Sequence, residues 1–443
     1  MHKIQQGNED LNSNAGIVLV GTSLGRLRSL RKIDRMNTKR IQHGWTPHSD
    51  ILSAVSIMQT LGRNEFADIE LFRRDRLFKG VLSSNRVVSE GTLRQRLEDI
   101  AEMNDSQTLL DDPNVELLSK VGCFGEEKTD HASYIPIDID VSVQDNSGSK
   151  KEHVSWTYKN LDGYAPIFAY LGTEGYMLAN ELRPGSQHSA KGAVEFGRRA
   201  LDMAGRLGIS PDRLLVRTDS GHDDSEFISM LLEKRVTFLV KRNLRKEAPE
   251  QYLATARRIG EKVKSREGKN VYRCVLSHIH PKGLEDAPLF VVVEVVERLT
   301  DPDGQELLIP DLKVSTWWTN LPESEADCVR LYHNHGTSEQ FHSELKSDMC
   351  VERLPSGKFA VNALILNVAA LSFNCLRMLG QNALRMTRLL PRSFNVERRR
   401  LRSVMQDLIH VACKVVSHAG MKILKFGRDC PWFHVFKELY ARC

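Results

Sequence analysis

Between residues 134 and 143 the chain reads YIPIDIDVSV, and no other segment constrains the fold as strongly. Side chains alternate across a strand, so Ile137, Ile139 and Val141 share one face while Asp138 and Asp140 share the other. The next segments, GYAPIFAYLG and GYMLANELRPG, meet at Thr173-Glu174-Gly175. A tight turn there predicts a hairpin that extends the first strand into a three-stranded meander. A helix is predicted over 188–207. RLLVRTDSG is a second strand that ends on an acid, Asp219. DDSEFISMLLEKR predicts a helix with Asp223 and Asp224 in its first turn, and VTFLVKR a closing strand.

The flanks differ. Residues 47–118 carry apolar residues at three- and four-residue steps, which predicts helices. Ser89 is the expected N-cap of one that presents Arg94 and Arg96. Short helices with basic tips suit a DNA-end-binding region and equally a plain helical bundle. Residues 270–318 are rich in β-branched side chains and predict a β-rich insertion with a turn at 301–304. Beyond it helices are predicted over 338–350, 359–390 and 397–418 and in the terminal WFHVFKELY.

Charge is concentrated at the two ends. The net charge is +5, but residues 21–40 hold seven Lys/Arg and one acid, and residues 376–443 hold fourteen and four. Such ends suit a polyanion; solvated helix faces account for them equally well. None of the eight cysteines forms a CxxC pair, so they read as reduced thiols. The polar start MHKIQQGNEDLNSN lacks a signal-peptide core, and no apolar run approaches membrane-helix length. No membrane association and a cytoplasmic location are expected.

Two strand acids and one later acid stand out: Asp140, Asp219 and Glu339. Carboxylates from separate elements make chemical sense if they converge on a hard divalent cation, which takes oxygen ligands and supports phosphodiester chemistry. Glu339 lies in YHNHGTSEQFHSELK, where Tyr332, His335, Glu339 and Lys346 fall at offsets of 0, 3, 7 and 14, near one face of a helix. This spacing resembles the Y-(2)-R-(3)-E-(6)-K signature of bacterial insertion-sequence DDE transposases, with His335 in the place of the arginine. The resemblance also runs through 138–176, ELRPGSQHS, VRTDSGHDDSEF and the helical segments before residue 100, and so covers about 47–425.

The resemblance to the DDE group 1 transposases implies an α/β fold: a ribonuclease H-like mixed-sheet core with a β-rich insertion and flanking helical regions. The chain would divide into a basic segment (1–46), a helical DNA-binding region (47–130), a first core part (131–243), the insertion (244–320), a second core part (321–390) and a basic helical region (391–443). It implies Asp140, Asp219 and Glu339 as catalytic, metal-binding acids for Mg2+ or Mn2+, with Asp138 as the alternative first acid. Tyr332, His335, Lys346 and Arg183 would contact DNA, although Arg183 could equally brace the turn before Pro184. The implied partners are double-stranded DNA, at the element's terminal inverted repeats and at the target, and a second copy of the chain on DNA. The activity would be cleavage of element ends and their joining to target DNA. A catalytically impaired DNA-binding protein and a nuclease without strand transfer are the alternatives.

Further residues have two readings each. His333, His335 and His342 could form a zinc site. Trp317 or Trp318 could stack on a displaced base or pack in the core. Arg398, Arg399, Arg400 and Arg402 could contact phosphates or form a solvated face.

Overall fold

The computed structural model describes residues 2–36, 46–103, 106–263, 265–301, 303–419 and 421–443. Lys39 and Arg40 of the basic 21–40 stretch, and Pro302 of the predicted turn, lie outside the described residues.

The N-terminal part is built into the core. Helices α1 (Ile17–Gly25), α2 (His48–Thr60) and α3 (Glu90–Ala101) bury Ile17, Leu19, Leu24, Ile57, Leu93 and Leu97 in one apolar cluster. Ser89 caps α3 as expected, its hydroxyl accepting from the Thr92 amide. Of the two arginines on α3, only Arg94 reaches the surface, where it pairs with Glu90. Arg96 is buried and donates to the Thr46 carbonyl and His48, which removes it from any DNA-facing role.

The acid-bearing strand forms as β1 (Ser133–Val141). Strands β2 (Ile167–Leu171) and β3 (Tyr176–Glu181) follow it as an antiparallel meander. The chain crosses over through α4 (Ala193–Arg206) to β4 (Leu214–Thr218), and through α5 (Ser225–Glu233) to β5 (Thr237–Arg242). β4 lies parallel to β1, and β5 parallel to β4. The order β3-β2-β1-β4-β5, antiparallel for three strands and parallel for the last two, is the ribonuclease H-like arrangement. Ile137 and Ile139, fully buried with Phe196 and Phe227 from α4 and α5, each contribute about 1.5–3 kcal/mol to holding that layer.

The insertion is neither separate nor all β. Helix α6 (Pro249–Ile259) precedes β6 (Glu261–Val263), β7 (Lys269–Leu276), β8 (Phe290–Thr300) and β9 (Glu306–Thr319). β9 pairs antiparallel with β5, so these strands extend the core sheet. Trp317 and Trp318 are buried at that junction, the Trp318 ring N–H donating to Asp223 at 2.7 Å. Neither indole is available to stack on a base.

The chain then returns beneath β1 as α7 (Glu325–His333), a 3-10 turn (Asn334–Thr337), α8 (Ser338–Ser343) and a π-helical turn (Glu344–Asp348). The single regular helix expected over 338–350 is thus a broken one. Helix α9 (Phe359–Arg385) follows. It is long and apolar enough to cross a membrane, contrary to the expectation that no such run exists, but 89% of its most apolar window is buried inside the protein. It is the central helix of the core. The predicted C-terminal helix over 397–418 gives way after Ile409 to β10 (Cys413–His418), which forms a small sheet with Leu11–Asn12 and β11 (Met421–Phe426) before α10 (Phe433–Arg442). Val415 is buried and its neighbours Lys414 and Val416 are not, a two-residue period that a helix-spacing reading overlooks.

Candidate functional site

Strand register brings the first two acids together. Ile139 stands opposite Thr218 across the parallel β1–β4 pair, so Asp140 and Asp219 lie one step beyond, at the C-terminal ends of neighbouring strands. Arg217 shares a face with Asp138, to which it bonds, so the two-residue period points Asp140 and Asp219 to that same side. The returning segment supplies the rest. Tyr332 ends α7, His335 sits in the 3-10 turn, Glu339 opens α8, and Lys346 lies in the π-helical turn. All six residues line one open cleft of about 770 Å³.

The two strand acids, indistinguishable by alternation, have different surroundings. Asp138 is buried and accepts two hydrogen bonds from Arg217, at 2.7 and 2.8 Å, and one from His335 Nδ1 at 2.8 Å. Burial would raise its carboxyl, but the charges of Arg217 and His335 hold it below the ordinary range. Asp140 opens on the cleft and accepts from His342 Nε2 at 3.2 Å. Burial would raise this group too, and His342, with His335 and His222 nearby, brings it down to about 2. Asp140, not Asp138, is therefore the strand acid with oxygens facing the cleft.

Each aspartate has its own histidine. His222 Nδ1 donates to Asp219 at 3.0 Å, and the Gly221 amide donates to the same oxygen. His342 Nδ1 lies 3.3 Å from the Tyr170 hydroxyl, which orients the ring so that Nε2 faces Asp140. The zinc reading of His333, His335 and His342 loses its basis, because His335 and His342 serve different acids and His333 is exposed. Glu339 is exposed and makes no hydrogen bond or ion pair among the described residues. Among those residues, no three His, Cys, Asp or Glu side chains form a ready metal cage. The acids share a cleft without closing on one point.

The proposed DNA contacts fare differently. Arg183 is fully buried; it pairs with Glu181 and donates to the Ser189 and Gly192 carbonyls, so it braces the chain entering α4 and cannot reach DNA. His335 is largely buried with its Nδ1 on Asp138, so only the remaining edge of its ring lines the cleft. Tyr332 stays in the cleft, its ring against Trp317 and His335. Lys346 donates to the Val143 carbonyl and lies 3.9 Å from Glu352; burial lowers its ammonium below the ordinary lysine value. The C-terminal arginines clasp the back of this segment. Arg377 and Arg398 pair with the buried Glu344, and Arg400 and Arg402 with the buried Asp348. Arg399 pairs with Asp407.

Sequence reasoning passed over His222, Tyr158 and Lys159, which complete the site. Tyr158 donates to the Val141 carbonyl at 3.0 Å and lines the cleft with Lys159. The spacing of His222, three residues after Asp219, was a readable signal; nothing in the local pattern marked Tyr158 or Lys159.

A family model described as "Transposase DDE domain group 1" matches residues 3–443. No curated protein matches the chain. Among solved structures, a cryo-EM structure of a piggyBac transposase synaptic complex with hairpin DNA is similar at 12% identity, covering 90% of this chain and 79% of that one, with a TM-score of 0.42.

Proposed function

The chain belongs to the transposase DDE domain group 1 family, and on that premise we propose that it cuts the ends of an insertion element and joins them to target DNA by metal-dependent phosphoryl transfer. The observation that carries the reading is the shared cleft: Asp140, Asp219 and Glu339 come from three separate elements and line it together with Tyr332, Lys159 and Lys346.

Asp140, Asp219 and Glu339 would hold Mg2+ or Mn2+. The donor set is carboxylate oxygen throughout, which suits a hard cation, and Asp140 is ionised at neutral pH. When bound, such cations make water a stronger nucleophile and offset the charge that builds on the phosphate. The chain's own residues prepare the site. His342 and His222 aim the two strand carboxylates, as a neighbouring hydrogen bond fixes a ligand's orientation. The Arg217–Asp138–His335 network ties both strand ends to the segment that carries Glu339. Lys159 and Lys346 offer point charges to the DNA backbone along the cleft wall. Two ends must be cut for one insertion, so two copies of the chain would act on double-stranded DNA.

The test is cleavage of labelled DNA carrying the flanking element's inverted ends, with Mg2+ or Mn2+, by wild type and Glu339→Gln. Glu339 is exposed and unpaired among the described residues, so its loss leaves the fold intact. Nicking at the ends should fall by at least about 100-fold in the variant while end binding is retained. Tight, end-specific binding with no nicking by either protein would overturn the catalytic reading in favour of a DNA-binding role.

A further inference from the structure

The ribbon formed by β8 and β9 ends in an irregular, exposed tip. Arg298 stands opposite Asp311, and Thr300 opposite Glu306. Between these pairs one residue on β8, Leu299, faces four on β9, residues 307–310. A bulge re-aims the side chains of the longer strand, and Pro310 sits where no ladder donor is required. The result is unusual for a folded chain: Leu308 is 100% exposed and Ile309 79% exposed, side by side. Asp311 pairs with Arg298, and Asp301 accepts from the Asp303 and Gln305 amides, whereas Asp303 and Glu306 are exposed with no ion-pair partner among the described residues.

Elsewhere on the chain an apolar groove of about 360 Å³ lies between α1, the helix Arg76–Gly80, β11 and α10. Leu77, Leu424, Phe426 and Phe436 line it. Lys422 and Lys437 line it too, both exposed and neither with an ion-pair partner among the described residues. It is thus an apolar slot bordered by two unpaired lysines, and the bulge is an apolar knob beside two unpaired carboxylates, Asp303 and Glu306.

We propose that this groove receives the 307–310 bulge of a second copy of the chain, and that two copies exchange bulges reciprocally to form a closed dimer without DNA. Apolar surface meets apolar surface, and Asp303 and Glu306 face Lys422 and Lys437. Each contact is made twice about a twofold axis, so assembly stops at two. The full exposure of Leu308 means that the described residues of its own chain do not cover it. The inference goes beyond the catalytic reading and stands independently of it, because its test contains neither DNA nor metal.

The experiment is sedimentation velocity on the full chain over about 1–50 µM, with thermal melting as the check on folding. Wild type should be dimeric. Leu308→Asp should raise the dissociation constant at least about 30-fold while keeping a cooperative melting transition, since a charge is placed in an apolar slot. Two charge-reversed chains make the decisive comparison: one with Lys422→Glu and Lys437→Glu, the other with Asp303→Lys and Glu306→Lys. Each alone should be monomeric, because its knob and slot then carry the same sign. Mixed in equal amounts they should form a heterodimer, since one contact then keeps its original polarity and the other is restored with the polarity reversed. A monomeric wild type, a dimer indifferent to these substitutions, failure of the mixture to associate, or open-ended higher oligomers would each overturn the proposal.

Discussion

Replacing Arg217 by methionine isolates the contact on which the site's framework depends. The Arg217 guanidinium and the Asp138 carboxylate are each 2% exposed. Arg217 donates twice to Asp138, at 2.7 and 2.8 Å, once to Glu127 at 3.0 Å, and once to the Leu331 carbonyl at 2.7 Å. Strand β1, strand β4 and the end of α7 therefore meet at one side chain. Methionine keeps most of the aliphatic volume, so the cavity term is small, and the loss is that of the charge and its four bonds. Removing one member of a buried pair costs about 3–5 kcal/mol, because the remaining charge is stranded out of water. Asp138→Asn in the same background removes that stranded charge. The double variant should then be less destabilised than the sum of the singles by about 2 kcal/mol.

The pH dependence gives the same reasoning a second, independent readout. In wild type the folded Asp138 carboxyl lies below its ordinary value, so the unfolded chain binds more protons and stability rises with pH. That contribution is complete above the ordinary aspartate value, near 4, and is lost as pH falls through the folded one. Without Arg217, burial raises the carboxyl, the folded chain binds more protons, and the sign reverses. The gap between wild type and Arg217→Met, measured by urea denaturation, should therefore be smallest near about pH 3 and widen toward neutrality. A loss under about 1 kcal/mol at pH 7, additivity in the double variant, or a gap independent of pH would refute the account.

Three other substitutions probe the same framework. His335→Arg, which restores the signature residue, sets a second guanidinium beside Arg217 in a largely buried position; it should destabilise by about 2–4 kcal/mol and add no cleavage, and a gain in nicking would revive the phosphate-grip role. Glu344→Gln leaves the buried Arg377 and the half-buried Arg398 without their carboxylate and should lower stability by about 3–5 kcal/mol in urea titrations, while a change under about 1 kcal/mol would mean the clasp is solvated. Gly175 has a φ of 70° and its missing Cβ would overlap the Phe341 ring of α8, so Gly175→Ala should cost about 1–3 kcal/mol and reduce cleavage by displacing Glu339; a variant as stable and active as wild type would show that the hairpin does not set the position of α8.

The legible part of this molecule is the part governed by short-range periodicity. Alternation in 134–143 assigned both faces of β1, the Thr173-Glu174-Gly175 turn assigned the meander, and the acid-ended RLLVRTDSG assigned β4; together these fix the sheet order that brings Asp140 beside Asp219. Alternation cannot separate Asp138 from Asp140, because both lie on one face. What separates them is Arg217, whose reach to Asp138 across 79 residues exists only once β4 pairs with β1. The same limit explains the arginines. Arg183, Arg96, Arg399 and Arg377 look in sequence like the cations of a DNA-binding chain, yet each is buried on partners brought up by folding. A guanidinium has five donors, and a core polar group must be satisfied; an arginine is thus as well suited to cross-bracing elements as to gripping phosphate. Local charge counts cannot tell the two uses apart. The Y-H-E-K spacing shows the converse. Its helix is broken at 334–337 and again by the π-helical turn, yet Tyr332, His335, Glu339 and Lys346 still line one cleft. The spacing tracks the cleft they share and not the regularity of the helix, because a shared cleft needs only that the backbone return each side chain to one wall, which the 3-10 and π-helical turns still do.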